Sequence, residues 1–282
     1  MARYNEAAKS SGSIILCCSG FDSIPVDLLN YAVAKCIRQK YNADTRNART
    51  FITNFSGSVS GGTLASIFAL LEVFSLRDIS EAHAPWSLST RKGSSLQRNV
   101  PHVTWDSDLA MYGGSWIGDS VDRSVAGRSW SILNYGPNWT TYGYLGFGAW
   151  YKAYAYLSAL YFGTFIIGIP PIRYLLKKYV IQPGSGPSQK QRDSGFLEMQ
   201  GIGESDDADR HKVKATFRIV DADPGYKGTA AMLACVALTL ALDVGKTEAG
   251  SGGGGFWTPA SLGESLVGRL DTAGITLQVN DI

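Results

Sequence analysis

The stretch that decides the fold is S-I-I-L-C-C-S-G-F-D-S-I-P-V-D-L-L-N-Y-A-V-A-K-C-I, residues 13–37. Ser13–Cys18 is an unbroken apolar run that is too short for a helix, which predicts a fully buried strand of a parallel sheet. Ile24–Lys40 carries apolar residues at helical spacing, and Pro25 suits the first turn of a helix. A buried strand that leads into a helix is typical of α/β proteins, so this stretch predicts an α/β fold.

The segments further along the chain indicate a mixed α/β protein (α+β in part) with a C-terminal hairpin and helices. We interpret Asp78–Tyr135 as loops and short elements because it is rich in glycine and tryptophan. The remaining predicted elements are strands at Arg49–Phe55, Phe196–Gly203, Val213–Ile219 and Ile275–Val279, and helices at Leu64–Arg77, Lys227–Val244 and Pro259–Ala273.

Composition excludes several functional classes. The chain has 282 residues and a net charge of +2, so we expect no nucleic-acid partner, which would require a basic face. The three histidines share no metal-ligand spacing and the four cysteines form no C-x-x-C pair, so no metal site is predicted. Cys17, Cys18, Cys36 and Cys235 are expected to be reduced core thiols. The polar N-terminus does not have the pattern of a signal peptide, so we expect an intracellular protein that is not secreted.

The first candidate site is the loop Gly20–Pro25. It lies at the carboxyl end of the predicted strand and at the start of the predicted helix, which is where open α/β sheets bind ligands. Asp22 could orient a ligand group or accept a proton, and it is our candidate catalytic residue. The alternative is a plain helix cap in which Asp22 or Ser23 serves as the capping residue.

The second candidate site is the glycine-rich turn Ser56–Thr63. Gly57, Gly61 and Gly62 permit close backbone approach to a ligand, and the N–H groups at the start of the following helix attract anions. The alternative is an ordinary turn packed on a neighbour. Gly250–Gly255 formally fits G-x-G-x-x-G, but it follows a predicted helix rather than a strand, so we reject it as a dinucleotide site.

Three motifs occur here in the order known from one enzyme family: G-F-D-S-I-P at Gly20–Pro25, S-G-G-T-L-A-S at Ser60–Ser66 and D-P-G-Y at Asp223–Tyr226. On these motifs the chain resembles the saccharopine dehydrogenase-like oxidoreductases, a family that includes the trans-acting enoyl reductases of lipid biosynthesis. Pro170–Lys178, Gln182–Ser188 and W-T-P-A at residues 257–260 extend the resemblance over nearly the whole chain.

The resemblance implies a Rossmann-type domain that binds NADP or NAD, joined to a mixed-sheet substrate domain. Residues 1–40 would be the end of the dinucleotide-binding domain, and residues 41–282 the substrate-side domain. Gly20, Phe21, Asp22 and Ser23 would face the nicotinamide, and Gly61, Gly62 and Thr63 would line the substrate side. The family's phosphate loop, of the form G-A-T-G-F-T-G, does not occur in these 282 residues. We therefore expect either a truncated, C-terminal part of the enzyme that binds the cofactor weakly by itself, or a form that has lost catalysis.

The function implied by the resemblance is NAD(P)H-dependent reduction of a small-molecule or lipid-linked substrate in lipid or glycolipid biosynthesis. A second hypothesis is a non-catalytic protein that binds a membrane or lipid-droplet surface, on the cytoplasmic face of membranes or at a mitochondrion. It depends on the apolar segment 154–169, which ends at Pro170–Pro171 and leads into Arg173, Lys177 and Lys178. The alternative for this segment is a buried helix. A third hypothesis is a fragment that does not fold stably alone.

Overall fold

The computed structural model describes residues 2–57, 61–84, 86–95, 97, 100–179 and 186–282. Within them the chain forms a mixed α/β fold, which confirms the predicted class. The strands are β1 (Ile14–Leu16), β2 (Thr45–Ser56), β3 (Val103–Asp106), β4 (Met111–Ser115), β5 (Thr140–Phe147), β6 (Phe196–Ser205), β7 (Lys212–Ile219), β8 (Gly255–Trp257) and β9 (Ile275–Asp281). The α-helices are α1 (Ala2–Ser10), α2 (Ile24–Tyr41), α3 (Gly61–Val73), α4 (Leu76–Ala82), α5 (Asp119–Leu133), α6 (Trp150–Gly168), α7 (Pro170–Tyr179), α8 (Gln189–Asp193), α9 (Thr229–Leu242), α10 (Glu248–Ser251) and α11 (Gly263–Thr272).

The main sheet has seven strands in the order β3-β4-β5-β2-β6-β7-β9. β2 is central and pairs with β5 in parallel and with β6 antiparallel, so that Phe51 lies between Tyr144 and Gln200. The other pairings are antiparallel. The predicted C-terminal hairpin is confirmed as β6 and β7.

Helix α2 packs its apolar face against β6 and β7 and supplies much of the core. The approach is close because β6 carries Gly201 and Gly203, and a Cβ at Gly203 would lie 2.8 Å from Val33 Cβ. Of the two predicted capping residues, Ser23 holds the N-cap position of α2, but without the side-chain hydrogen bond of such a cap.

A second, small sheet pairs β1 with β8 in parallel. The parallel pairing was predicted, but full burial was not correct, because Ile15 is 36% exposed in a strand of three residues. The partner strand β8 begins at Gly255, the last residue of the glycine-rich segment that we rejected as a dinucleotide site. Cys18 follows β1 with a left-handed φ of 60° and is exposed, so the prediction of a core thiol is wrong there, whereas Cys235 is buried.

The stretch Asp78–Tyr135, predicted as loops and short elements, contains the 15-residue helix α5. The prediction failed because the buried face of α5 is largely polar, so the helix lacks an apolar stripe. Its buried residues include Asp119, Asp122, Arg128 and Ser129. α5 lies against α2, and this contact positions the candidate site.

The apolar segment 154–169 forms most of helix α6, and α7 follows at an angle of 95°. By length and composition alone, this bent pair could form one broken membrane span, and the helical run Pro224–Leu242 is also long and apolar enough to cross a bilayer. The latter run contributes Met232, Cys235 and Val236 to the core of the protein.

Candidate functional site

Two of the sequence motifs and the end of β2 meet at one place in the structure. The backbone N–H of Phe21 donates a hydrogen bond to Thr229 Oγ1 at 3.0 Å, and the Phe21 ring stacks on Phe55 with centroids 5.9 Å apart. A Cβ at Gly57 would lie 3.0 Å from Asp223 Oδ2. The loop after β1, the end of β2 and the D-P-G-Y segment before α9 therefore form one junction.

The backbone of the first loop is closely packed and internally bonded. A Cβ at Gly20 would lie 2.9 Å from Thr229 Cγ2, which explains the glycine at this position. The N–H groups of Ser23 and Ile24 both donate to the carbonyl oxygen of Gly20. These two N–H groups and that of Phe21 are engaged within the protein, so they are not donors for a cofactor pyrophosphate, which requires unengaged N–H groups. The half-buried ring of Phe21 and the exposed carboxyl group of Asp22 are side chains of this loop that a ligand could reach.

Four aspartates gather where the first turns of α2 and α5 come together: Asp22, Asp27, Asp119 and Asp122, the aspartate cluster. Asp22 is exposed and the other three are buried. Desolvation raises the pKa of Asp22. The charges of Asp22, Asp27 and Asp119 all act on Asp122, which shows that the four carboxyl groups are close enough to couple electrostatically.

Asp119 connects α5 to the main sheet. Its Oδ1 accepts a hydrogen bond from Gly143 N of β5 at 2.5 Å, and its Oδ2 lies 2.9 Å from Arg123 Nε. Burial raises the pKa of Asp119 to about 6, while the Arg123 charge and the Gly143 hydrogen bond oppose that rise.

Asp27 connects α2 to α5 and to the segment before α11. It accepts a hydrogen bond from Ser129 Oγ at 2.5 Å and another from Ala260 N at 2.8 Å. Ser129 Oγ also lies 2.7 Å from Thr258 Oγ1. Burial raises the pKa of Asp27 to about 7. Both carboxyl oxygens are engaged, so Asp27 has a structural role.

Asp122 differs from its neighbours. It is 2% exposed, and among the described residues no group hydrogen-bonds with its Oδ1. Burial raises the pKa of Asp122 well above its ordinary value, and the charges of Asp119, Asp22 and Asp27 raise it further. Such surroundings favour the protonated form of a carboxyl group, which is the form that a general acid requires.

A cavity of about 300 Å³ lies beside the first turn of α5. Asp119 lines it and also belongs to the aspartate cluster, so the cavity and the cluster adjoin. The other lining residues come from α5, from the segments around β4 and α4, and from α6; they are His83, Pro101, Ser115, Trp116, Ile117, Ser120, Arg123, Leu160, Tyr161 and Thr164. A polar end with an ion pair and apolar walls would suit a substrate with a polar head and an apolar chain.

A larger open groove of about 520 Å³ lies elsewhere, along α2 and the segment before α11. Within it, Lys35 Nζ lies 2.6 Å from Glu264 Oε1, and Tyr31 donates a hydrogen bond to the same oxygen. The groove contains none of the predicted site residues.

The structure separates the predicted site residues into two groups. Gly20, Phe21, Asp22 and Ser23 lie at the junction and the aspartate cluster. Gly61, Gly62 and Thr63 form the first turn of α3, with Gly61 buried and the other two exposed. Gly62 is helical, so it does not serve a left-handed turn, and none of the three lines the 300 Å³ cavity. Ser58–Ser60 of the glycine-rich turn and Gln182–Ser185 lie outside the described residues.

Sequence reasoning missed Asp119 and Asp122. The available signal was the D-x-x-D spacing, which places two carboxyl groups on one face of a helix. Despite the number of acids, the described part of the chain contains no group of three or more His, Cys, Asp or Glu residues arranged to hold a metal ion.

The fold and the site define an α/β protein with buried carboxyl groups of raised pKa, one of which, Asp119, lines a cavity. This arrangement is typical of enzymes. The chain is 28% identical over 300 residues to a Mycobacterium tuberculosis protein provisionally named a trans-acting enoyl reductase, with 98% of this chain and 69% of that protein covered. It is 29% identical over 305 residues to the trans-acting enoyl reductase of Mycobacterium leprae, with coverage of 97% and 69%. The Mycobacterium bovis trans-acting enoyl reductase is 28% identical over 308 residues, with the same coverage. No family model matches the chain.

Proposed function

We propose that this chain works as an enoyl reductase in lipid biosynthesis and reduces the carbon–carbon double bond of an α,β-unsaturated, lipid-linked acyl group. The observation that carries the proposal is Asp122, a buried carboxyl group whose Oδ1 has no hydrogen-bond partner among the described residues and whose pKa is raised by the charge of Asp22 in the loop Gly20–Ser23. The similarity to the mycobacterial enoyl reductases over almost the whole chain supports the same reaction.

The reaction requires a hydride at the β-carbon and a proton at the α-carbon. NADPH or NADH supplies the hydride when bound with its nicotinamide end at Phe21 and Asp22. The chain itself must supply the proton and stabilise the negative charge that develops on the acyl carbonyl oxygen.

Asp122 is the proposed proton donor. Its proton leaves the carboxyl group for the α-carbon of an acyl group that extends past Asp119, the cluster member that lines the cavity. The resulting carboxylate is unfavourable among three other aspartates. It therefore regains a proton readily, and Asp22, which is exposed, is the proposed relay from solvent. Arg123 lines the cavity beside Asp119 and is the proposed partner of the acyl carbonyl oxygen.

The proposal is tested with the 282-residue chain, hexadecenoyl-coenzyme A and millimolar NADPH, by following NADPH absorbance. We expect slow turnover that gives the saturated thioester. With 4-deuterated NADPH in ordinary water, deuterium should appear at the β-carbon; with ordinary NADPH in D₂O, it should appear at the α-carbon. Thioester binding without turnover would reassign the chain as a binding protein, and a product without this labelling would refute the assigned chemistry.

A further inference from the structure

Three helices, α3, α6 and α7, leave a largely apolar surface uncovered, which we name the three-helix face. Of the 19 residues of α6, the buried ones are Ala153 and Leu157. In α3 the buried residues are Gly61 and Phe68, and α7 contributes none. Large side chains point to solvent along α6, including Trp150 (59% exposed), Phe162 (66%) and Phe165 (69%). A helix that is apolar on all sides requires cover.

The charge on this face has one dominant sign. α6 carries Lys152, and α7 carries Arg173, Lys177 and Lys178, without an acidic residue in either helix. The single acidic residue of α3 is Glu72. The three helices together have four basic groups and one acidic group, set among exposed tryptophan, tyrosine and phenylalanine side chains.

The geometry keeps the basic groups beside the apolar ones. Lys177 Nζ lies 2.8 Å from Glu72 Oε2, and Arg173 Nη1 donates to the Leu71 carbonyl oxygen at 3.4 Å, so α7 is held against α3. α7 turns 95° away from α6 at Ile169–Pro170. Because of this bend, α6 and α7 do not form one straight helix of the kind that spans a bilayer.

We propose that the three-helix face binds an anionic lipid bilayer, with the aromatic side chains of α6 in the interfacial layer and the basic groups of α7 on lipid headgroups. Aromatic residues favour the membrane interface, and basic residues near the surface are attracted to anionic lipids. A second copy of the chain is a poorer occupant, because a symmetric contact would bring the same basic groups together. This proposal is independent of the proposed reaction.

The test is flotation of the purified 282-residue chain with lipid vesicles. The probe vesicles contain phosphatidylcholine with 30% phosphatidylserine, and the reference vesicles contain phosphatidylcholine alone. We expect flotation with the anionic vesicles at low salt. The variant Arg173→Gln/Lys177→Gln/Lys178→Gln should partition on the order of 100-fold more weakly. The matched control Lys9→Gln/Lys190→Gln/Lys246→Gln removes the same charge from exposed sites outside the face and should float like the unmodified chain.

A second variant tests the apolar part of the contact. Phe162→Ser/Phe165→Ser should weaken binding even in 0.5 M salt, where attraction between charges is screened. Both positions are exposed, so the fold should persist, as checked by circular dichroism. The proposal is overturned if the unmodified chain stays in the soluble fraction at low salt, if the charge variant and its control bind equally, or if cross-links within a dimer map to α6 and α7.

Discussion

The burial of Asp122 lowers the stability of the folded protein, and a catalytic use of its proton would explain why the residue is there. Burying a carboxyl group without a full set of hydrogen bonds destabilises the folded protein by about 1–3 kcal/mol. The neighbouring aspartates add repulsion whenever Asp122 ionises. Nothing in the contacts of Oδ1 offsets this cost among the described residues. Such an uncompensated group is typical of a catalytic site rather than of a structural one.

We predict that Asp122→Asn lowers kcat for the enoyl thioester by about 10²–10⁴-fold and leaves substrate affinity nearly unchanged. The amide has the same shape but cannot give up a proton at neutral pH, and the effect of removing a general acid has this size. Steady-state kinetics and thioester binding would measure the two quantities separately. The matched control is Asp27→Asn, which changes the neighbouring structural carboxyl group; equal losses in both variants would argue for a general disturbance of α5.

Asp27 should make the stability of the protein depend on pH. Its pKa is raised from 3.8 to about 7 in the folded state, so the folded protein holds this proton more tightly than the unfolded chain does. Its contribution is complete below about pH 4 and is lost as the pH rises through 7, by up to roughly 4 kcal/mol.

Replacing Asp27 with Asn should therefore flatten the pH dependence. The amide can still accept from Ala260 N and can donate to Ser129 Oγ, so the packing is kept. Urea unfolding at pH 4.5 and pH 8 would give the free energies of unfolding of both proteins. A difference between the two pH values that is as large in Asp27→Asn as in the unmodified chain would contradict the assignment.

At single residues the sequence identified the exposed part of the site and missed the buried part. Asp22 was recognisable because it lies between an apolar run and a helix, a local pattern. Asp119 and Asp122 acquire their properties from α2, which is distant in sequence and approaches them only after folding. The D-x-x-D spacing shows that two carboxyl groups share a helix face, but not that the face is buried.

At the scale of elements, the close contact between the loop after β1 and the start of α9 sets the position of Asp22. Gly20 has no space for a side chain because Thr229 Cγ2 lies against it, while Thr229 Oγ1 accepts the Phe21 N–H. We predict that Gly20→Ala destabilises the protein by about 1–3 kcal/mol through overpacking.

The companion variant Thr229→Ser removes the methyl group and keeps the hydroxyl acceptor. The double variant Gly20→Ala/Thr229→Ser should consequently be less destabilised than the sum of the single variants by about 1 kcal/mol. Chemical denaturation of the unmodified chain, the two single variants and the double variant would give the four free energies of unfolding that this double-mutant cycle requires. Additive effects would show that Gly20 is not constrained by this contact.

Elements with a clear apolar period were predictable, and elements defined by long-range pairing were not. The spacing of apolar residues and the helix or strand propensities predict α2, β2, β6, β7 and β9. β8 could not be predicted in this way. Its three residues, which begin at the last glycine of a glycine run, form a strand only because they pair with β1, which is distant in sequence. α5 was missed because hydrogen bonds between its polar residues and distant partners replace an apolar stripe.

For the whole molecule, the family resemblance implies that cofactor affinity depends on a phosphate-binding loop of the form G-A-T-G-F-T-G, which these 282 residues do not contain. In the loop after β1, the N–H groups of Phe21, Ser23 and Ile24 are engaged and do not replace it. We predict a dissociation constant for NADPH of millimolar order or weaker, ~4 kcal/mol of binding free energy at most. Isothermal titration calorimetry would measure this dissociation constant. Micromolar affinity would contradict the prediction, because it would require a phosphate site other than the loop of this form.

The three-helix face and the cavity share helix α6, so a membrane bound at that face, as proposed above, would lie next to the cavity. Leu160, Tyr161 and Thr164 of α6 line the cavity, while Phe162 and Phe165 point to solvent.

If an acyl chain enters along α6, Leu160→Trp should obstruct it and raise KM for the long-chain enoyl thioester about tenfold, equivalent to roughly 1.4 kcal/mol. Vesicle binding should not change, because the altered side chain faces the cavity. Leu175→Trp is the matched control, since it adds the same side chain at an exposed position of α7 that does not line the cavity. A normal KM in Leu160→Trp would exclude the cavity as the acyl site and leave the membrane contact without a direct role in substrate entry.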